Sequence, residues 1–152
     1  MKKIQLSILL FLLSFASIAQ SKVIGSTDEK VLDNFSWFQE GYNRCKPNQQ
    51  EIKKLQTSAA PYTFMVFGGT WCADTQYLLP QFYKITDEAG ISRDSINLYF
   101  LTRRLRSPQR DEKAHKIKSV PTFIVLKNGK EAGRFTETIT QPIEKVLNSI
   151  CQ

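Results

Sequence analysis

Hydrophobic residues fall along this chain in blocks whose period changes several times, and the changes mark out the elements. Tyr62-Thr63-Phe64-Met65-Val66-Phe67 is a nearly unbroken apolar, aromatic and β-branched run, as expected of a strand covered on both faces. Ile96 to Leu101 and Thr122 to Leu126 read the same way. Lys127-Asn128-Gly129-Lys130 is a hairpin turn of the Asn-Gly kind, with Glu131 to Phe135 as its second strand. Between these runs the period lengthens. Asp28 caps a predicted helix carrying Val31, Leu32, Phe35, Trp37 and Phe38, which Gly41 to Pro47 should end. Asn48 with Glu51 three residues later forms a capping box for a second helix that buries Ile52 and Leu55. A third starts near Cys72 and runs to about Glu88, with Pro80 expected to kink it. The polar segment Thr102 to Lys118 holds a short helix, and Pro142 opens a last one that buries Ile143, Val146, Leu147 and Ile150. Residues 20–27, small and polar, read as a tail.

Alternation of strands and helices implies parallel pairing, and the closing hairpin must be antiparallel. The expected class is therefore α/β, with a mixed central sheet and helices on both faces. Ahead of it, Lys2 and Lys3, the apolar stretch Ile4 to Ala16, and small residues at Ser17 and Ala19 have the pattern of a secretory signal peptide. The stretch is shorter than the ~20 residues of a spanning helix, so cleavage after Ala19 is expected, leaving no membrane anchor. The predicted organisation is a signal peptide at 1–19, a helical extension at 20–47 and a folded domain at 48–152. Export, to a periplasm or beyond the cell, follows. Loss of Lys2 and Lys3 lowers the formal net charge of +7 by two, and the remainder suits a solvated surface better than nucleic-acid binding. His115 is the one histidine, with no paired carboxylates near it, which suggests a surface position and no metal site. The three cysteines, Cys45, Cys72 and Cys151, are an odd number for a chain sent to a disulfide-permissive compartment.

The chemistry concentrates at Gly69-Thr70-Trp71-Cys72-Ala73-Asp74-Thr75, directly after the first buried strand. A cysteine at a helix N-terminus sits among unpaired N–H groups and the positive end of the dipole, which favour the thiolate that attacks disulfides. This segment resembles the Trp-Cys-x-x-Cys motif of thioredoxins. Pro80 falls at that family's spacing for its helix-kinking proline, Ser119-Val120-Pro121-Thr122-Phe123 resembles its cis-proline loop, and Lys127-Asn128-Gly129 its hairpin. The resemblance covers roughly residues 48–150 and implies a thioredoxin fold. It also implies that Trp71, Val120 and Pro121 hold an extended substrate chain against Cys72.

The chain departs from the family pattern where the second cysteine should stand, since that position is Thr75. The family's buried aspartate, six residues before the attacking cysteine, is replaced by Val66, and a glycine near the substrate groove by Glu137. Cys72 can then attack a disulfide but cannot release the product from within. Thr75, one turn on, is placed to donate its hydroxyl to the thiolate, and Asp74 to stabilise the helix start. Cys45 is a candidate resolving thiol only if the loop at 41–47 folds over the sheet edge. Pairing of Cys45 with Cys151 is disfavoured, because the last helix carries Cys151 to the opposite pole and a disulfide needs Cα atoms within ~7 Å. Three unpaired thiols are the expected state. Arg103, Arg104, Arg106 and Arg110 follow a strand that ends at the same pole as Cys72; they offer a positive field or a merely solvated loop. Two functions fit: monothiol exchange on a protein or low-molecular-weight disulfide, with an external reductant and no cofactor, or a redox-inactive, chaperone-like binding module.

Overall fold

In the computed structural model the described residues are 24–152, and the signal-peptide reading of residues 1–19 lies outside them. The chain forms β1 (Gly25–Thr27), a 3-10 turn (Glu29–Asn34), α1 (Ser36–Arg44), α2 (Gln49–Ser58), β2 (Tyr62–Gly68), α3 (Ala73–Glu88), β3 (Ile96–Phe100), α4 (Asp111–Ala114), β4 (Thr122–Lys127), β5 (Lys130–Thr136) and α5 (Ile143–Ile150). The sheet order is β1-β3-β2-β4-β5. Only the β2–β3 pair is parallel; β1–β3, β2–β4 and β4–β5 are antiparallel.

β2 is central, and its pleat divides the interior in two. Phe64 and Val66 face the larger core, with Leu98, Phe123 and Val125 from the neighbouring strands and the buried sides of α1, α2, α3 and α5. Met65, Phe67 and Ile124 face a smaller cluster closed by Leu101, Leu105, Ile117 and Val120, from the segment that contains α4. Strict alternation of side chains along each strand produces this division. Aromatic contacts tie the larger core together: Phe82 of α3 lies 4.9 Å from Phe123 of β4, which stacks at 4.6 Å on Phe135 of β5. Such pairs contribute about 0.5–1.5 kcal/mol each beyond their buried area.

Three features differ from the sequence reading. Residues 25–27, read as tail, add an antiparallel edge strand to β3; three small residues carry no apolar signal, and the pairing is made by main chain alone. The helix expected from Asp28 divides at Phe35. A 3-10 turn capped by Asp28 precedes it and α1 follows, so that Leu32, Phe35 and Phe38 all reach the core. β4, which strand–helix alternation alone would make parallel, runs antiparallel to β2, as the expected meeting of Val120 with Cys72 requires. The four-residue α4 is only about 6 Å long at 1.5 Å per residue, too short to carry the chain back across the sheet, so β4 enters at the end where β3 left.

Gly41 does not break α1, which continues to Arg44. A Cβ at Gly41 would stand 2.5 Å from Pro80 Cγ, so the glycine lets α1 lie directly against the proline of α3. The capping box is half made: Asn48 Oδ1 accepts from the N–H groups of Gln50 and Glu51, while the Asn48 N–H donates to Glu144 of α5. Asn128 and Gly129 both take positive φ, as the two-residue hairpin turn requires.

In an exposed helix, Gly→Ala would stabilise by up to about 1 kcal/mol. Gly41→Ala should instead destabilise by about 1–3 kcal/mol through overpacking against Pro80, read by urea denaturation. A stabilised variant would contradict the α1–α3 contact.

Candidate functional site

The turn leaving β2 is shaped by what folds back onto it. The Cys72 N–H donates to the Gly69 carbonyl at 2.9 Å, closing a tight turn. The Trp71 indole lies over Gly69, where any Cβ would come within 2.7 Å of the ring, so only glycine fits. Two α3 side chains pin this turn. Thr75 Oγ1 accepts the Gly69 N–H at 3.1 Å, and Gln76 Nε2 donates to the Thr70 carbonyl at 2.7 Å. Trp71 is fixed in turn by its Nε1–H, which donates to the Leu101 carbonyl at 2.9 Å, and the Arg103 guanidinium lies 5.1 Å from its ring centroid.

Cys72 is the N-cap residue of α3, with extended backbone and no side-chain bond to the first N–H groups of the helix. Its half-buried Sγ donates to the Val120 carbonyl at 3.3 Å. The Val120–Pro121 peptide is cis. Its loop is held by Thr122 Oγ1 donating to the Ser119 carbonyl at 2.8 Å and by Ser119 Oγ donating to Glu137 at 3.1 Å. The structure therefore brings Trp71, Cys72, Val120 and Pro121 together at the end of the sheet where β2 and β3 finish and β4 begins.

Thr75 is placed differently from the expectation. It is fully buried, and its recorded bond goes to the Gly69 N–H and not to the Cys72 sulfur. Val66 is also fully buried, so an apolar side chain fills the place of the family's acid. All three cysteines are free. Cys45 caps the C-terminus of α1 and lines a separate cavity of ≈ 430 Å³ with Gln76, Tyr77, Pro142 and Glu144. Burial, then the carboxylates of Glu144 and Glu88, push its thiol up, against a smaller opposing effect of Lys84. Cys151 lies at the other pole, beside the end of α5, where burial pushes its thiol up to about 11. His115 is half-buried rather than fully on the surface, its ring 5.7 Å from Phe67. Among the described residues no group of three His, Cys, Asp or Glu is arranged to hold a metal.

Sequence reasoning missed two anchors. Gln76 carries no motif signal, and Glu112 looks like one more charge in a charged segment. Glu112 is in fact buried, and its Oε2 accepts from both the Ser107 Oγ–H (2.7 Å) and the Ser107 N–H (3.0 Å), holding the loop between β3 and α4. A buried acid two residues past the last arginine of the run, Arg110, is visible only once the loop is seen to close over it.

A five-stranded mixed sheet with a cysteine at a helix start facing a proline loop defines the thioredoxin class of fold. A family model described as thioredoxin matches residues 25–148, and the chain belongs to that family. The match begins in β1 and so takes in most of the segment before Asn48. Thioredoxin Y of rice (Oryza sativa subsp. japonica), described as chloroplastic, is 29% identical over 61% of this chain and 55% of its own length. Thioredoxin Y1 of Arabidopsis thaliana, also described as chloroplastic, is 26% identical over 70% of this chain and 65% of its own. The chain thus spans less than two thirds of the length of these relatives. A protein of unknown function from Pseudomonas aeruginosa shares the fold, with a TM-score of 0.53 and 20% identity over 77% of this chain and 74% of that one.

Burial pushes the Glu112 carboxyl up, but the two bonds from Ser107, with smaller help from its own backbone N–H and Arg110, together outweigh it and hold the group below the usual carboxylate range. A depressed folded value means that its stabilisation is present above the unfolded value of about 4.3 and is lost as pH falls through the folded value. Protection of the Ser107 amide from exchange should therefore hold at neutral pH and fall in acid. Glu112→Ala should remove it at every pH, at a cost of about 1–3 kcal/mol. A Ser107 amide equally protected in the variant would show that the loop is held by something else.

Proposed function

We propose that this protein is an exported member of the thioredoxin family that performs monothiol thiol–disulfide exchange through Cys72. The observation that carries the reading is the position of the sulfur: half-buried at an open helix N-terminus, facing the Val120 carbonyl. The export part of the reading rests on the residue pattern of the first 19 positions.

In the first step the Cys72 thiolate attacks one sulfur of a disulfide RS–SR′. A Cys72–SR mixed disulfide forms, the S–S bond of the substrate breaks, and R′S⁻ leaves to take a proton from water. In the second step an external thiol, as its thiolate, attacks the substrate sulfur of the mixed disulfide. It carries RS away in a new disulfide and returns Cys72 as thiolate; the electrons come from that external thiol. Trp71 and the Val120–Pro121 backbone hold the substrate chain, with the Val120 carbonyl available to accept from its N–H. Thr75 acts by fixing the turn that aims Cys72. Cys45 lines a cavity in which Cys72 takes no part, which favours an external thiol as the second reactant. Substrates are protein disulfides or low-molecular-weight disulfides.

A second reading, a redox-inactive binding module, has one specific support: Glu137, bonded to Ser119, places a carboxylate at the proline loop where the family pattern has a glycine.

The test supplies the missing thiol. With a model peptide disulfide, the native protein should form a one-to-one mixed disulfide that Cys72→Ser cannot form. Thr75→Cys, placing a second thiol one turn along α3, should release the bound peptide as a thiol about ten-fold faster or more and leave an intramolecular disulfide with Cys72, because an intramolecular thiol replaces a bimolecular one. A native protein that forms no adduct would end the exchange reading in favour of the binding module.

A further inference from the structure

The charge lining the two clefts that run from Trp71 along the loop after β3 is one-sided. Arg104 and Arg106 line two adjoining clefts, one of ≈ 510 Å³ shared with Thr70, Trp71, Thr102 and Arg103, the other of ≈ 380 Å³ that continues to Arg110, Lys113, Lys116 and Lys118. The one carboxylate lining either cleft is Glu112, and it is turned inward onto Ser107. Arg110 reaches it only at 4.0 Å. Among the described residues, none of the other cations in the two clefts has a carboxylate within 4.0 Å.

These cations stand on a closed, ordered turn. The Thr102 N–H donates to the Arg106 carbonyl at 3.0 Å, the Leu105 N–H to the Thr102 carbonyl at 2.8 Å, and the Arg106 N–H to Thr102 Oγ1 at 3.2 Å. Leu105, Arg110 and Lys116 hold φ of 52°, 63° and 53°, an uncommon and costly conformation for side-chain-bearing residues. Like charges crowded on a constrained loop whose one lining carboxylate is turned inward raise a strong local potential, which steers and holds an anionic partner.

We propose that the two clefts dock an acidic stretch of polypeptide next to the disulfide that Cys72 engages. The inference deepens the exchange reading by naming its substrate class, and rests on it. Three observations favour a polypeptide. The first cleft begins at Thr70 and Trp71, so a chain lying along Val120 and Pro121 passes Cys72 and continues directly into the basic groove. A membrane surface is a poorer fit: Tyr77, the one large apolar side chain standing exposed among the described residues, lines the Cys45 cavity instead, leaving nothing beside the clefts to insert into a bilayer. Nucleic acid is poorer too, since Trp71 is the lone aromatic in the clefts, and it is already covered by Arg103.

The experiment measures equilibrium binding to Cys72→Ser protein, so that docking is read whether or not exchange occurs. The probes are a short alternating Glu-Ser peptide carrying a rhodamine, the matching Gln-Ser peptide, an oligodeoxynucleotide of the same length, and phosphatidylglycerol-containing vesicles. The Glu-Ser peptide should bind at least about ten-fold more tightly than the Gln-Ser peptide, and more tightly than either of the other probes, with affinity falling as salt rises. Arg104→Gln with Arg106→Gln should lose about ten-fold, and Arg104→Lys with Arg106→Lys should keep affinity within about three-fold, since charge and not guanidinium geometry is required. Equal binding of the two peptides, insensitivity to the Gln pair, or tighter binding of the oligonucleotide or vesicles would each overturn the proposal. Failure of the Cys72 adduct alone would remove the exchange chemistry and leave this binding result standing.

Discussion

The reversal of β4 against β2 is the constraint on which the site depends. It places Thr122 beside Phe67, and so puts the loop that precedes β4 across from the helix start that follows β2. Had β4 run parallel, Val120 would lie at the far pole and Cys72 would face solvent. The reversal follows from the shortness of α4, which leaves the segment from Leu101 to Val120 at one end of the molecule to close the smaller core. That segment then does two things at once. It seals Met65, Phe67 and Ile124 from water, and it carries arginines to the rim of the site.

Rigidity at this pole comes from side chains that face inward. Thr75 and Gln76 hold the turn before Cys72, Glu137 and Thr122 the loop around Val120, and Glu112 the arginine loop. None of these residues needs to touch a substrate. Together they leave Cys72 half-buried at the start of α3, against the smaller apolar cluster and the Val120 carbonyl, while burial pushes the other two thiols up and disfavours them as nucleophiles.

Much of this was legible before the fold was seen. The run Tyr62 to Phe67, the Asn128-Gly129 turn and the apolar side of α5 each carry a local signal strong enough to specify the element, and Trp71-Cys72 with Val120-Pro121 marks the residues that the fold brings together as the candidate site. What could not be read depended on contacts between distant segments. Gly25 to Thr27 pairs through its backbone, which leaves no trace in side-chain pattern. Gly41 looks like a helix breaker until Pro80 is found against it. Thr75 reads from the sequence as a hydrogen-bond donor to the cysteine, yet it is buried and accepts the Gly69 N–H, a contact that exists only once the turn folds back onto α3. Glu112 was one acid in a charged stretch, and only closure of the loop made it an anchor.

The most direct test of the central claim, that the fold singles out Cys72, is to treat the folded native protein with a limiting amount of a small aromatic disulfide and map the adduct by peptide mass spectrometry. Modification should fall on Cys72 first, with Cys45 and Cys151 remaining unmodified until the protein is denatured. An adduct that appears first on Cys45 or Cys151, or equal modification of all three, would contradict the account.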